Sequence, residues 1–264
     1  MNDLHITLIQ SDISWENPEE NIRNFGSLVD KLPSPTDLII LPEMFNTGFS
    51  INPSKCAETS DGPTILFLKE KSSEKNCMIA GSLLMREGDA YFNRLVCMYP
   101  GSSWAQYDKR HLFRLSEEYR ILKGGSEKVI VNRKGWNILP LVCYDLRFPV
   151  WSRNRWQNGS YDYDILVYCA NWPKSRIHIW KSLLTARAIE NQCYVIGVNR
   201  IGKDGTGTAY SGESLIAGPD GIILDSAPAD QPVVIQSTLS MEKLVEHRKN
   251  YFFAPDWDRF EIQY

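Results

Sequence analysis

Three short runs of consecutive apolar residues place the strongest limit on how this chain can fold. They cover residues 38–41, 139–142 and 165–169. Such runs are typical of strands that are buried on both faces, in a sheet that other layers cover. Each run is followed by a polar or reactive side chain, and these are Glu43, Cys143 and Asn171. Because sites in α/β folds lie at the ends of the strands, these residues are the first candidates for a functional site.

The rest of the pattern alternates strands with helices, which predicts an α/β fold. Helical spacing of apolar residues predicts helices over 18–31, 63–75 and 178–191. In the last of these, Ile179, Leu183, Ala186 and Ile189 are expected to lie along one side. Pro149 opens a further helix, predicted over 149–158.

The 264 residues are expected to form one domain. No Pro/Gly/Ser-rich linker and no charge run divides the chain, so a single unit over 1–264 is predicted. An aromatic tail begins at about residue 250 and includes Phe252, Phe253 and Tyr264.

Composition and charge argue against several function classes. The formal net charge of −3 argues against nucleic-acid binding, which usually needs a basic face. No apolar stretch approaches the roughly 20 residues of a membrane-spanning helix, and residues 1–5 lack the pattern of a signal peptide. The six cysteines form no C-x-x-C pair, so no metal site is predicted. We therefore expect a cytoplasmic protein with reduced thiols.

Cys143 lies where an apolar strand stops and a charged, turn-like segment begins. A strand that leads into a tight turn lifts the turn residue's side chain out of the sheet. It also leaves the following backbone N–H groups unpaired, as in the nucleophile elbow of serine hydrolases. A buried cysteine that acts as a small hydrophobe is the alternative interpretation. The position at the end of the apolar run favours a nucleophile.

Glu43 and Lys109 are the charged residues that a thiol nucleophile would need. Met44 and Phe45 follow Glu43, so its loop is apolar and would desolvate the carboxylate, as suits a general base. Lys109 begins a long segment of weak periodicity that ends near Gly125, and loops of this length are usually functional. A cation beside the thiol would favour the thiolate and hold an oxyanion. An ordinary loop acid and an ordinary surface charge are the alternative interpretations.

Glu43, Lys109 and Cys143 each lie in a distinctive segment, and three further segments follow. The six read LPEMF (41–45), YDKRHLF (107–113), VCYDLRFP (142–149), ANWP (170–173), ARAIEN (186–191) and GPDG (218–221). In this order, they resemble the nitrilase superfamily of carbon–nitrogen hydrolases. They extend over nearly the whole chain. The second and third segments look like the bacterial omega-amidase branch, which hydrolyses the terminal amide of 2-oxoglutaramate and 2-oxosuccinamate.

The resemblance implies a four-layer α-β-β-α sandwich and an amidase that works through a cysteine thioester. It also implies a homodimer that forms through helices, with the tail from about residue 250 at the interface. The motifs leave the acyl group of the substrate open, because an amidase for deaminated glutathione or for another small amide would share them. No metal or organic cofactor is implied.

The resemblance also assigns the site residues. Glu43, Lys109 and Cys143 correspond to the catalytic triad of the family. A second glutamate corresponds to Glu117 or Glu118, and the spacing favours Glu118.

Four further residues are expected around the substrate. The backbone N–H of Tyr144 would share the oxyanion with the lysine. Arg147 would either face a substrate carboxylate or brace the turn through Asp145. Asn171 and Trp172 are expected to line the mouth of the pocket.

Two functions from other classes are also considered. In a papain-like protease, His111 or His178 would pair with Cys143, but the flanks of Cys143 carry no cysteine-protease signature. A catalytically silent scaffold would bind a partner through the same fold. Such a scaffold has no need of an intact Glu43–Lys109–Cys143 set.

Overall fold

Two six-stranded mixed sheets form the centre of this computed structural model, which describes residues 3–262. In chain order its strands are β1 (Leu4–Gln10), β2 (Leu38–Ile40), β3 (Met78–Glu87), β4 (Ala90–Met98), β5 (Trp104–Asp108), β6 (Val131–Arg133), β7 (Trp136–Val142), β8 (Trp156–Gln157), β9 (Ser160–Tyr161), β10 (Ile165–Ala170), β11 (Tyr194–Asn199), β12 (Ile201–Lys203), β13 (Ala209–Ser211), β14 (Leu215–Ala217), β15 (Ile223–Ser226) and β16 (Val233–Leu239). Its α-helices are α1 (Pro18–Asp30), α2 (Pro53–Cys56), α3 (Pro63–Lys75), α4 (Glu118–Ile121), α5 (Pro149–Ser152), α6 (Ile177–Asn191) and α7 (Met241–Asn250).

Each sheet has parallel strands in its interior and antiparallel pairs at its edges. The first sheet has the order β16-β1-β2-β3-β4-β5, in which β1, β2 and β3 run parallel. The second has the order β15-β14-β11-β10-β7-β6, in which β7, β10 and β11 run parallel. The three apolar runs of the sequence are therefore β2, β7 and β10, which are interior strands as predicted.

The strands of the first sheet alternate their side chains between two cores. Leu4, Ile6 and Leu8 of β1 pack in a core shared with the second sheet. Ile39 of β2 instead packs against α1 and α3 on the outer face. On the far side of the molecule, α6 covers the second sheet. The order of layers is thus helix, sheet, sheet, helix, which confirms the predicted four-layer sandwich.

Helix α6 lies so close to its sheet that a glycine is required beneath it. A Cβ atom at Gly197 of β11 would lie 2.4 Å from Leu184 Cδ1 and 2.6 Å from Trp180 Cζ2. The buried apolar residues of α6 are Trp180 and Leu184, whereas Ile189, on the apolar side predicted from the spacing, is 52% exposed. Both sides of this helix carry apolar residues, and the spacing alone does not say which side the sheet covers.

The prediction of a helix over 149–158 is wrong beyond the first turn. It ends at Ser152, and the chain then forms the small hairpin β8–β9. Asn158 and Gly159 stand at the hairpin turn with φ angles of +52° and +80°. Asparagine followed by glycine is the usual sequence for a two-residue turn in which both φ angles are positive.

The C-terminal tail folds back onto this hairpin. The Trp257 ring lies under the Arg153 guanidinium, at 4.3 Å from its centroid, and edge-on to Tyr161 at 5.7 Å. Tyr264, which the sequence analysis counted in the tail, lies outside the described residues. Within residues 3–262 we find no helix with the length and apolar character needed to cross a membrane.

Candidate active site

The ends of four strands converge beneath one cavity. Glu43 follows β2 and Lys109 follows β5, both in the first sheet, whereas Cys143 follows β7 and Asn171 follows β10 in the second. The structure therefore brings together the three strand-end residues of the sequence analysis and adds Lys109 to them. The site is built at the junction of the two sheets.

Cys143 begins a tight turn directly after its strand. Its φ angle is +43°, a left-handed conformation that is strained for a residue with a side chain. The following residues form a single turn of 3₁₀ helix, Cys143–Arg147. The thiol is 9% exposed, and Sγ lies 3.8 Å from the carbonyl oxygen of Asn171. The turn thus presents the sulfur to the cavity, as the strand–turn–helix pattern predicts.

Asp145 fastens this turn to the segment that carries the lysine. Its Oδ2 accepts hydrogen bonds from the Tyr107 hydroxyl (2.8 Å) and from the backbone N–H of Val142 (3.1 Å). Its Oδ1 accepts from the backbone N–H of His111 at 3.0 Å, and the His111 ring Nδ1 lies 2.8 Å away. Tyr107 and His111 stand two residues before and after Lys109. The positions of the ammonium and the thiol are therefore coupled through one carboxylate, a network that sequence reasoning missed.

Glu43 is fully buried, and both of its carboxylate oxygens accept hydrogen bonds. Oε1 accepts from Lys109 Nζ at 2.9 Å and from Asn93 Nδ2 at 2.8 Å. Oε2 accepts from the backbone N–H of Asn171 at 2.8 Å, and the Asn171 side chain donates to the Glu43 carbonyl oxygen at 2.6 Å. Asn171 therefore holds both the backbone and the side chain of Glu43.

Of the two adjacent glutamates, the structure places Glu118 against the lysine. Lys109 Nζ donates to Glu118 Oε1 at 2.9 Å and to Oε2 at 3.0 Å. The Glu117 side chain is 60% exposed and pairs with Arg120. Asn93 links the two buried carboxylates, because the Nδ2 that contacts Glu43 also lies 3.1 Å from Glu118 Oε1. Sequence reasoning missed Asn93, although this polar residue interrupts the apolar pattern of β4.

Burial and charge set the protonation of this group. Burial lowers the pKa of Lys109, but the carboxylates of Glu118 and Glu43 outweigh burial and raise it, so the ammonium stays charged. Burial raises the pKa of Glu118, and Glu43 adds to this effect while Lys109 opposes it. Burial raises the pKa of Cys143 well above its ordinary value, and the charge of Glu43 adds to this effect. Lys109 opposes the shift. Lys109 therefore favours the thiolate, as the sequence analysis expected, but burial and Glu43 outweigh it and raise the pKa.

A cavity of about 680 Å³ lies above Cys143, within the range of small-molecule sites. Aromatic side chains form one wall, where Phe113 packs edge-on against Tyr144 at 5.1 Å and against Phe49 at 6.5 Å. The opposite side includes Asp204 from the loop between β12 and β13, a hairpin that the sequence analysis did not predict. The cavity therefore combines an apolar wall with polar groups from several elements.

The four predicted substrate-binding residues all line this cavity, but two lie deeper than predicted. Asn171 is 6% exposed and Trp172 is 2% exposed, so they form the inner wall and not the mouth. Tyr144 and Arg147 are half-buried. Arg147 does not brace Asp145, because its guanidinium lies over the Trp172 ring, 5.0 Å from the centroid. The oxygens of Asp145 are taken by the other donors described above.

Neither histidine of the protease alternative meets the thiol. The His111 ring stacks on Phe148 at 3.7 Å and faces Asp145 through Nδ1. His178 lies exposed on α6. The papain-like arrangement considered in the sequence analysis is therefore absent from the part of the chain that the structure describes.

Comparison with known proteins identifies a family and several relatives. Residues 5–249 match the family described as carbon-nitrogen hydrolase. The chain is 42% identical to "Omega-amidase YafV" of Escherichia coli strain K12 over 262 residues, which cover 99% of this chain and 100% of that protein. It is 32% identical to the "2-oxoglutaramate amidase" of Bacillus subtilis strain 168, with 93% of this chain and 94% of that protein covered.

A solved structure gives the same match. XC1258 from Xanthomonas campestris, described as a CN-hydrolase superfamily protein with an arsenic adduct in the active site, superposes with a TM-score of 0.97. The two chains are 40% identical, and 100% of each is covered.

The Glu43 carboxylate should hold back ionisation of the thiol beside it. Because a nearby negative charge disfavours a thiolate, Glu43→Gln should lower the pKa of Cys143 and move the pH midpoint of its alkylation by iodoacetamide downward. Glu117→Gln removes the same charge from an exposed side chain and should leave the midpoint unchanged. The rate of modification of the Cys143 peptide, followed by mass spectrometry from pH 6 to 11, measures both. A midpoint that stays or rises in Glu43→Gln contradicts this electrostatic account.

Proposed function

The chain belongs to the carbon–nitrogen hydrolase family, and we propose that it hydrolyses the terminal amide of omega-amido 2-oxo acids. The proposed substrates are 2-oxoglutaramate and 2-oxosuccinamate, and the products are ammonia and the dicarboxylate. One observation carries the proposal: a buried thiol, a carboxylate and an ammonium meet below a cavity that also holds an arginine with no acidic partner among residues 3–262. The names of the bacterial relatives support the same substrate class.

Acylation begins when the Cys143 thiol gives its proton to Glu43 and the sulfur attacks the amide carbon. The two events are concerted, because burial and the charge of Glu43 disfavour a free thiolate. The amide oxygen becomes an oxyanion that accepts hydrogen bonds from Lys109 Nζ and the backbone N–H of Tyr144, each worth about 3 kcal/mol. Glu43 then gives its proton to the departing nitrogen. Ammonia leaves, and Cys143 carries the acyl group as a thioester.

Water completes the reaction at the same place. Glu43 accepts a proton from water as the oxygen attacks the thioester carbon, and the same donors hold the new oxyanion. The carbon–sulfur bond then breaks, the acid is released and Cys143 recovers its proton from Glu43. Through its two hydrogen bonds Glu118 keeps Lys109 charged and in place during both steps. No metal or organic cofactor takes part in these steps.

Arg147 is the proposed partner of the substrate carboxylate. Among residues 3–262 no hydrogen bond or ion pair occupies its guanidinium, which rests on Trp172. A carboxylate that enters a closed pocket must be paired, and the planar guanidinium binds one through two hydrogen bonds. Phe49 and Trp172 supply an apolar wall, but one methylene is worth only about 1–3 kcal/mol there. The C4 and C5 amides are therefore both accepted.

Replacing the nucleophile tests the covalent route. Cys143→Ala should fold normally and release no ammonia from 2-oxoglutaramate, because no thioester can form. Cys193→Ala alters a buried cysteine that lies outside the cavity and should keep its activity. Coupled detection of ammonia gives the rates, and mass spectrometry of the wild-type Cys143 peptide detects the acyl adduct. Near-normal turnover by Cys143→Ala would end the thioester mechanism.

Substrate charge tests the proposed specificity. The kcat/KM for 2-oxoglutaramate should exceed that for the neutral butyramide by at least 10-fold, since a charge-assisted hydrogen bond contributes about 1.5–3 kcal/mol. Glutamine should also be poorer than its keto analogue, because its amino group adds a cation next to an arginine. Ammonia release under identical conditions measures all three amides. Equal kcat/KM for 2-oxoglutaramate and butyramide would refute the proposed substrate class, and deaminated glutathione would then be tested.

We further propose that the chain acts as a homodimer in which a second copy covers the outer face of α6. This face and the adjoining hairpin expose Ile189 at 52% and Ile222 at 62%, and a Cβ at Gly221 would touch Ile189. The tail adds Phe252 and Phe253, both about half exposed.

The six free cysteines support the expected reducing, cytoplasmic location, for which cell fractionation is the direct check.

A charge placed on this face should separate the two copies. Light scattering coupled to gel filtration should give twice the monomer mass for the wild type and the monomer mass for Ile189→Asp. Leu66→Asp places the same charge on a 56% exposed residue of α3, in the opposite helix layer, and should remain dimeric. A monomeric wild type, or a dimer that only Leu66→Asp breaks, would contradict the proposed interface.

A further inference from the structure

A second arginine lines the cavity from the turn before α6. Arg176 ends the 3₁₀ turn Lys174–Arg176 that precedes α6, and it lines the same cavity as Cys143. Its guanidinium lies 5.6 Å from the centroid of the Phe113 ring, and Phe113 packs edge-on against Tyr144, the residue after the nucleophile. Arg176 is therefore held close to the aromatic wall beside the thiol.

The charge of Arg176 has no acidic partner within residues 3–262. Neighbouring cations on the same stretch of chain do have partners, since Lys174 pairs with Asp230 at 2.7 Å and Lys181 pairs with Glu213. A half-buried guanidinium that rests only on an aromatic face has all of its N–H donors available for a ligand. This difference sets Arg176 apart from the surface charges around it.

Trp172 joins this arginine to Arg147. Its indole Nε1 donates to the Arg176 carbonyl oxygen at 2.9 Å, and its ring lies under the Arg147 guanidinium at 5.0 Å. One buried side chain thus positions both arginines around the cavity. Two like charges that share a partly desolvated space repel each other, and this arrangement is favourable only when an anion lies between them.

None of the acids that line the same cavity forms an ion pair with either arginine in the described structure. Glu16 contacts Lys55, Glu43 contacts Lys109 and Glu117 contacts Arg120. Asp204 accepts hydrogen bonds from the hydroxyls of Thr206 and Tyr210, each at 2.7 Å. The two guanidiniums are therefore left available to an anionic ligand.

We propose that Arg176 and Arg147 form a two-arginine clamp for the 2-oxo-carboxylate end of the substrate, and that Arg176 is a specificity-determining residue. This inference rests on the proposed function. A 2-oxo carboxylate presents three oxygens in one plane, which is one more than a single guanidinium fork binds with two parallel hydrogen bonds. The second arginine supplies the additional donors. Because this end is remote from the reacting amide, the clamp acts mainly on binding, hence on KM.

The test compares anionic and neutral amides in matched variants. Arg176→Gln should raise KM for 2-oxoglutaramate roughly 10- to 100-fold with little change in kcat, since it removes charge-assisted hydrogen bonds. Its kcat/KM for butyramide should stay within twofold of the wild type. Arg176→Lys keeps the charge without the planar fork and should show an intermediate KM. Lys174→Ala removes a cation from the same turn, outside the cavity, and should behave like the wild type.

Binding without turnover gives a second readout. In the Cys143→Ala background, titration calorimetry with 2-oxoglutaramate should show a Kd at least 10-fold weaker when Arg176→Gln is added. The clamp is overturned if Arg176→Gln keeps its KM for 2-oxoglutaramate, or if it loses the same factor on butyramide, which indicates a structural role. A wild type that does not prefer 2-oxoglutaramate over butyramide refutes the proposed function itself, so the two failures are distinguishable.

Discussion

One buried ammonium shared by two buried carboxylates is the interaction on which this site depends. Lys109 Nζ lies within 3.0 Å of both Glu43 and Glu118, and all three side chains are nearly inaccessible to water. Removal of one partner from such a group leaves an uncompensated charge in a dry environment, which typically costs about 3–5 kcal/mol. The three residues are therefore interdependent, and Asn93 completes the group by donating to both carboxylates. A proton acceptor is thereby held beside the thiol without freedom to turn away.

The same site also ties the two sheets of the sandwich to each other. Glu43 follows a strand of the first sheet, and it accepts hydrogen bonds from the backbone and side chain of Asn171, which follows a strand of the second. Asp145 makes a further connection, since the Tyr107 hydroxyl donates to it from the first sheet. The geometry of the site and the packing of the sheets are thus supported by the same hydrogen bonds. A change in the packing between the sheets would move the Cys143 thiol relative to the Glu43 carboxylate.

Local signals in the sequence predicted most of the fold and the central residues of the site. The apolar runs that end at Glu43 and Cys143 identified interior strands whose ends meet at the cavity, and the family resemblance supplied the layer order. Residues whose hydrogen-bond partners lie far away in the sequence were missed. Asn93 contacts residues 50 and 25 positions away, a relation that no periodicity carries. The spacing in α6 likewise marked one apolar side but not the buried residues Trp180 and Leu184, because which side of a helix is covered depends on tertiary contacts.

The burial and raised pKa of the Cys143 thiol have a consequence for the life of the protein in the cell. Peroxides and other oxidants attack cysteines as thiolates, and their reactivity follows thiolate character and exposure. Cys143 is 9% exposed, and burial together with the neighbouring Glu43 keeps its pKa high. The sulfur is therefore shielded from sulfenic acid formation while the cavity is empty of substrate. An arrangement that disfavours ionisation of this buried thiol also protects its sulfur from oxidative damage.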